Sequence, residues 1–246
     1  MIEFKIEKIK GTASTNETLS ALIKAGKAKE GTVLTTDYQT NGKGYAGARW
    51  ESRKGENLLV SFFLTPEFLP AEKQFYLSIV TSLTLFDLLK ELTQKEAFSI
   101  KWPNDLYFQR KKIAGILIEN SVTQQFIAES VIGVGLNVNQ TNFPSYLPNP
   151  ISMKMISGIN FKVENVLNTF LSRFAGHYER LKSGDYKSLE KAYINSMFLR
   201  GQKSLFKDKE GDFEGTIEGI DRYGRLKINT PSGDRIYGFK EVEYQI

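Results

Sequence analysis

The stretch YQTNGKGYAGARW, Tyr38 to Trp50, carries Gly42-x-Gly44-x-x-Gly47, the glycine spacing of a dinucleotide-binding fingerprint. That fingerprint works where the glycine turn leaves a strand and opens a helix whose N-terminus holds a pyrophosphate, with an acidic residue about 20 positions on. Here the turn runs into GENLLVSFFL, which reads as a strand, and the neighbourhood of Phe62 offers no acid. The context excludes a Rossmann sheet. A Walker loop is excluded too, because Gly47 is followed by Ala48-Arg49 where Gly-Lys-Ser/Thr is required. What remains is a glycine-rich loop between two strands, carrying Lys43 and closing on Trp50. Such a loop can wrap a phosphate with backbone N–H groups that no side chain obstructs.

Outward from the loop, Phe4 to Ile9 reads as a short strand. In GTASTNETLSALIKAG, Ser14-Thr-Asn-Glu17 fits a capping box, and Leu19, Leu22 and Ile23 share one helical face before Gly26 stops the run. Gly31 to Tyr38 and Asn57 to Leu64 read as strands on either side of the loop. A helix after Pro70 carries a stripe of Ile79, Leu83, Phe86 and Leu89. Ser99 to Tyr107, Ile113 to Val122 and Phe126 to Val138 then form a meander across the polar turns QRKK and TQQ. Prolines mark 142–150 as a loop. Val163 to Leu181 is helical, with a stripe of Leu167, Phe170, Phe174, Tyr178 and Leu181, and a shorter helix covers Leu189 to Asn195. From Gly201 the chain breaks into short strands around DKEGD, DRYG and TPSGD, the pattern of a small β-barrel. Consecutive strands without a regular βαβ rhythm indicate α+β architecture.

A chain of 246 residues with 41% hydrophobic content and 25% charge can bury one substantial core and a small second unit. Cysteine is absent, which removes disulfides and thiolate chemistry and fits a reducing interior. MIEFKIEKIK alternates charged and apolar residues, unlike a signal peptide, and no run approaches the ~20 apolar residues of a membrane span. A cytoplasmic protein with no membrane partner is expected. The net charge of +5 arises from lysines and glutamates mixed along the chain, with no block of like charge.

Four constellations could carry chemistry. Ser14-Thr15-Asn16 at a helix start either caps the backbone or offers donors and acceptors to a polar ligand, and the two roles are compatible. The glycine loop with Gln39, Lys43, Arg49 and Trp50 is either a hairpin tip or a phosphate wrap beside an indole that stacks on a base. Lys101-Trp102-Pro103-Asn104-Asp105 sets a cation, a carboxamide and a carboxylate inside an apolar run, where Pro103 marks an edge or a bulge. Arg110-Lys111-Lys112 follows, in which one cation is functional and two serve solubility. Gly133-Val-Gly135-Leu-Asn137 puts glycines in an apolar strand, either for close packing or for the approach of a ligand. His177, between Phe174 and Leu181 on a helix, is assigned to packing.

Together and in this order, these motifs resemble the catalytic domain of the biotin protein ligases over roughly residues 10 to 140, and the final residues resemble that family's SH3-like C-terminal domain. KWPND with KIAGIL is the most specific part. The resemblance implies a mixed β-sheet flanked by helices, class II synthetase-like, over 1–198, and an SH3-like barrel over 199–246. With no winged-helix segment upstream, the expected form is monofunctional, without DNA binding.

The resemblance further implies that biotin's carboxylate attacks the α-phosphate of ATP, diphosphate leaves, and a lysine of a biotin carboxyl carrier protein attacks the resulting biotinyl-5'-AMP. It assigns Ser14, Thr15, Asn16 and Gln39 to the ureido ring. Gly42, Lys43, Gly44 and Tyr45 would line the biotin site from the loop, with Gly115, Ile118 and Gly133 as walls. Lys43 and Lys112 would hold the carboxylate and α-phosphate, and Asp105 would orient the incoming amine. Arg49, Trp50, Lys101, Asn104 and Asn137 would serve ATP, with Trp50 covering the adenine and Mg2+ riding on the triphosphate. The family often carries a basic residue where Tyr45 stands. The carrier would belong to a biotin-dependent carboxylase, and the ligase would be a monomer or homodimer. The competing readings are a lipoate or octanoate ligase, disfavoured by the missing RRxSGGGAVxH-like signature, and a non-enzymatic nucleic-acid-binding protein.

Overall fold

A computed structural model of the chain describes residues 2–44 and 47–245. A seven-stranded sheet contains β1 (Lys5–Ile9), β2 (Thr32–Thr36), β3 (Leu58–Leu64), β4 (Phe98–Lys101), β5 (Asp105–Phe108), β6 (Lys111–Thr123) and β7 (Phe126–Leu136). Its order is β1-β2-β3-β7-β6-β5-β4. β1 and β2 are parallel and every other pair is antiparallel, so the sheet is mixed. The helices are α1 (Thr15–Lys24), α2 (Phe75–Thr93), α3 (Met153–Ser157), α4 (Val163–Lys182) and α5 (Tyr186–Asn195). The strand expected over Ser99 to Tyr107 is two strands, β4 and β5, hinged at Trp102-Pro103-Asn104, with Lys101 opposite Asp105. Pro103 has no N–H for a ladder, and the chain turns there.

Side-chain alternation divides the sheet between two layers. Val33, Phe62 and Ile132 face the main core, where Phe62 is fully buried against Phe4, Phe170 and Phe174 at ring separations of 6.0, 5.9 and 4.7 Å. The α4 stripe foreseen from its spacing makes this contact, and truncating Phe62 to alanine is expected to cost about 3–5 kcal/mol. Leu34, Phe63 and Val131 face the opposite way, onto Leu19 of α1. α1 thus lies alone on the second face, which leaves the rest of that face open for a site. Among the described residues no helix is long and apolar enough to cross a membrane.

Residues beyond 200 form an antiparallel sheet of β8 (Lys203–Asp208), β9 (Gly211–Ile220), β10 (Leu226–Thr230), β11 (Gly233–Tyr237) and β12 (Glu243–Tyr244), in the order β11-β10-β9-β8-β12. This fits an SH3-like unit, but among the described residues the barrel does not close through backbone pairing. β12 is two residues long and pairs only with β8. Side chains bridge the gap instead: Tyr237 and Arg235 of β11 donate to Asp208 of β8 at 2.7 and 3.0 Å.

Candidate functional site

The open face of the sheet bears Ser61 of β3, Gly133 and Gly135 of β7, and Gly115 and Leu117 of β6, residues that the registers set side by side. α1 points its first turn at them. Ser14 is the N-cap residue, yet its side chain caps nothing, so the expected capping box with Glu17 does not form. The N–H of Thr15 donates instead to Gln39 Oε1 at 2.8 Å, and Thr15 Oγ1 lies 3.1 Å from the same oxygen. Ser61 Oγ donates to Asn16 Oδ1 at 2.6 Å and lies 2.7 Å from Thr15 Oγ1. Asn16 Nδ2 donates to Glu119 Oε2 at 2.7 Å. Ser14, Thr15, Asn16 and Ser61 are all buried. The result is a fixed array of donors and acceptors, pre-oriented for a small polar group. Gly133 is glycine because Asn16 occupies its side-chain space: an added Cβ would lie 2.2 Å from Asn16 Oδ1.

The glycine loop folds as a hairpin. Gly44 N donates to Ala48 O at 2.7 Å and Trp50 N to Gly42 O at 2.9 Å, while Tyr45 lies outside the described residues. Gly42 is required because a Cβ there would meet Trp50 O at 2.5 Å. Trp50 lays its indole on β6 and β7, where Cβ atoms on Gly115 and Gly135 would come within 3.2 and 2.4 Å of the ring. Gly115 and Gly135 are therefore places of close approach, and the visitor in this structure is an indole. Trp50 Nε1 and Asn137 Oδ1 are both buried without a hydrogen-bond partner among the described residues.

Two cations from different elements border the site. Lys43 on the loop pairs with Glu17 at 2.5 Å, and that contact raises the Lys43 pKa. Lys112 pairs with Asp105 at 2.7 Å and lies 5.8 Å from the centre of the Trp50 ring. A bulge in β6 makes this possible. Opposite β5 the register jumps from Leu106↔Ala114 to Tyr107↔Lys112, which brings Lys112 to the face of Gly115 and Asp105. Of the two readings of Pro103, an edge or a bulge, the edge holds: Pro103 follows β4, the edge strand, and the bulge lies at Ile113. The backbone of Lys112 is fixed from outside, its N–H donating to Asn149 O at 2.8 Å and its carbonyl accepting from Ile151 N at 3.0 Å.

Ser14, Thr15, Asn16, Gln39, Lys43, Gly44, Trp50, Asn104, Asp105, Lys112, Gly115 and Gly133 border one cavity of about 40 Å³. That space is sized for water molecules. A second cavity of about 270 Å³ adjoins it across Trp50, Asp105 and Lys112, and adds Arg49, Tyr107, Asn137 and the proline-rich loop from Phe143 to Pro150. Burial raises the pKa of Tyr107. Asn104 is held by donating to Ile116 O at 2.8 Å, and Asn137 by donating to Ile151 O at 3.0 Å.

Three expected site residues among those described border neither cavity: Gly42, which packs on the Trp50 backbone, Ile118 and Lys101. Ile118 pairs with Ile132 on the core side and borders a groove with Phe75 and Tyr223 instead. In a strand, three positions from Gly115 is the wrong face. Lys101 borders neither cavity; its Nζ lies 4.8 and 5.3 Å from the ring centres of Tyr244 and Tyr107, and burial lowers its pKa. The sequence reading missed Ser61 and Glu119. Ser61 had a signal, as the one polar residue in LLVSFFL, whereas Glu119 had none.

A cleft bordered by a buried polar array and by two lysines suits a ligand that carries both a polar head and an anionic group. Residues 9–137 match the biotin/lipoate A/B protein ligase family and residues 205–241 the biotin protein ligase C terminal domain. The chain belongs to the biotin/lipoate A/B protein ligase family, on its biotin protein ligase side. It is 28% identical over 224 residues to the bifunctional ligase/repressor BirA of Bacillus subtilis, covering 90% of this chain and 68% of the relative. It is 27% identical over 238 residues to the biotin–[acetyl-CoA-carboxylase] ligase of Paracoccus denitrificans, covering 94% and 98%. The biotin protein ligase from Aquifex aeolicus in complex with biotin and ATP superposes with a TM-score of 0.83 at 29% identity, covering 98% of this chain and 99% of that one.

Proposed function

We propose that the chain joins biotin to a lysine of a biotin carboxyl carrier protein, forming a C–N bond as ATP goes to AMP and diphosphate. A carboxylate cannot acylate an amine directly, because oxide is a poor leaving group. In the first step a biotin carboxylate oxygen bonds to the α-phosphorus of ATP and the bond to diphosphate breaks. In the second the lysine amine attacks the acyl carbon, AMP leaves with the bonding pair, and the amine gives up a proton. Both steps build negative charge on oxygen, so fixed cations and N–H donors serve better than a protein nucleophile.

The observation that supports this best is that Lys43 and Lys112, on separate hairpins, border one cavity together with the network of Thr15, Asn16, Gln39 and Ser61. We assign the ureido ring to that network, the carboxylate and α-phosphate to the two lysines, and the nucleotide to the larger cavity beyond Trp50. Each lysine exchanges its resident carboxylate, Glu17 or Asp105, for substrate oxygens, and Asp105 then orients the incoming amine. ATP enters as its magnesium complex, the ion carried on the triphosphate; among the described residues no cluster of three or more His, Cys, Asp or Glu could hold a metal. The same reading takes 1–198 as the catalytic unit and 199–246 as the C-terminal unit of a cytoplasmic monomer or homodimer acting on a carboxylase subunit. Incubation with biotin, ATP, magnesium and a carrier domain, followed by mass spectrometry, tests it. Biotinyl on one carrier lysine supports the reading, and an unmodified carrier with ATP intact overturns it.

A further inference from the structure

The Lys101–Asp105 turn faces two ways. Asn104 and Asp105 look into the cleft, where they meet Ile116 O and Lys112. Trp102 looks at the C-terminal sheet, and Lys101, opposite Asp105 in the ladder, reaches between Tyr107 and Tyr244. Trp102 is buried, its Nε1 donates to Gly224 O at 2.8 Å in the turn between β9 and β10, and its ring meets Phe239 edge-on at 5.3 Å. The Lys101 ammonium sits over Tyr244 of β12, which is itself packed on Phe206 and Phe198. The Gly224 turn in turn lies on α2: a Cβ there would fall 2.1 Å from Phe75 Cγ. Strand β4 is fastened nearby, with Ile100 N donating to Ser196 O at 2.8 Å and Phe198 N to Ile100 O at 2.9 Å.

We infer that the C-terminal sheet holds the Asp105 carboxylate in place through Trp102 and Lys101, which makes these residues and Tyr244 positioning residues for the acyl-transfer step. This rests on the ligase reading above. The two lysines of the first step are held differently, Lys112 by the backbone of 149–151 and Lys43 by the glycine-loop hairpin. Loosening the clamp therefore displaces Asp105, the carboxylate that Lys112 exchanges for substrate oxygens in the reading above, while the backbones that carry both cations keep their own anchors. Displacing a reacting group by about 1 Å can cost as much as 100-fold in rate, and here the loss falls on one half-reaction.

The test uses the full chain in two assays: biotin-dependent exchange of diphosphate into ATP for the first step, and single-turnover transfer from biotinyl-5'-AMP to a carrier domain for the second. Exchange by the wild-type chain establishes the ligase reading independently of the clamp; its absence would sink that reading and leave the clamp with nothing to position. In Trp102→Phe, which keeps a ring but loses the N–H, and in Tyr244→Leu, transfer should fall about tenfold or more while exchange stays within about twofold. Tyr244→Phe keeps the aromatic face beneath Lys101 and should restore transfer. Lys101→Met supplies a third variant should one of these fail to fold. A parallel fall in both half-reactions, or unchanged transfer, would overturn the inference.

Discussion

Gly133→Ala probes the polar end of the cleft at a single atom. The new methyl would lie 2.2 Å from Asn16 Oδ1 and 3.0 Å from its Cγ, well inside contact distance. Asn16 cannot step aside freely, being tied to Ser61 at 2.6 Å and Glu119 at 2.7 Å on a side chain that is 3% exposed. Overpacking of this kind costs about 1–3 kcal/mol of stability. Each internal hydrogen bond that Asn16 gives up costs a further amount of about 0.5–1.5 kcal/mol in stability, and an Asn16 turned out of place should weaken biotin binding by about 5- to 150-fold, a coupling of about 1–3 kcal/mol. Titration calorimetry with biotin alone measures the affinity, and thermal unfolding the stability. Gly176→Ala is the control, since nothing lies within 4 Å of the added carbon. Gly135→Ala is the counterpart, because its methyl would strike the Trp50 ring at 2.4 Å and should weaken ATP binding more than biotin binding. Wild-type biotin affinity in a folded Gly133→Ala chain would refute the placement of the ureido ring.

Lys112→Ala should lower biotin-dependent diphosphate exchange by about 100- to 1,000-fold, the usual loss of one charge-stabilising donor, with the circular-dichroism spectrum unchanged. Ser61→Ala removes a fully buried hydroxyl and should cost about 1 kcal/mol in denaturant unfolding, with a several-fold rise in the biotin Kd. The two perturbed lysines give opposite pH signatures. Lys101 is pushed down by burial, so its charged form is disfavoured on folding and native stability rises with pH from that depressed value towards 10.5; in Lys101→Met the rise should vanish from the urea midpoints. Lys43 is raised by its hydrogen bond to Glu17, so its contribution is present below 10.5 and lost as pH climbs through the higher folded value; Glu17→Gln should abolish that alkaline loss.

Periodicity made the layers legible. The Leu167 to Leu181 stripe, the meander and the texture change near Gly201 each reflect burial on one face, which sequence records directly. Register is not recorded that way. Nothing in QRKKIAGIL announces the bulge at Ile113 that turns Lys112 into the cleft, whereas Ile118, three positions from Gly115 in an unbroken register, lies on the core face by simple alternation. The glycines were legible as close approaches, but the sequence could not say that the neighbours at 133 and 135 are Asn16 and Trp50. Lys101 and Asp105 do share a face as ladder partners, but nothing in the sequence shows that the Lys101 ammonium reaches between Tyr107 and Tyr244 and borders neither cavity.

The account stands on two ammonium groups meeting at one anionic centre, and a crystal structure grown with biotin and a non-hydrolysable ATP analogue tests this most directly. It should show Lys43 parted from Glu17 and Lys112 from Asp105, each Nζ within about 3.2 Å of a biotin carboxylate or α-phosphate oxygen. Ligands bound elsewhere while both lysines keep their present carboxylate partners would contradict it.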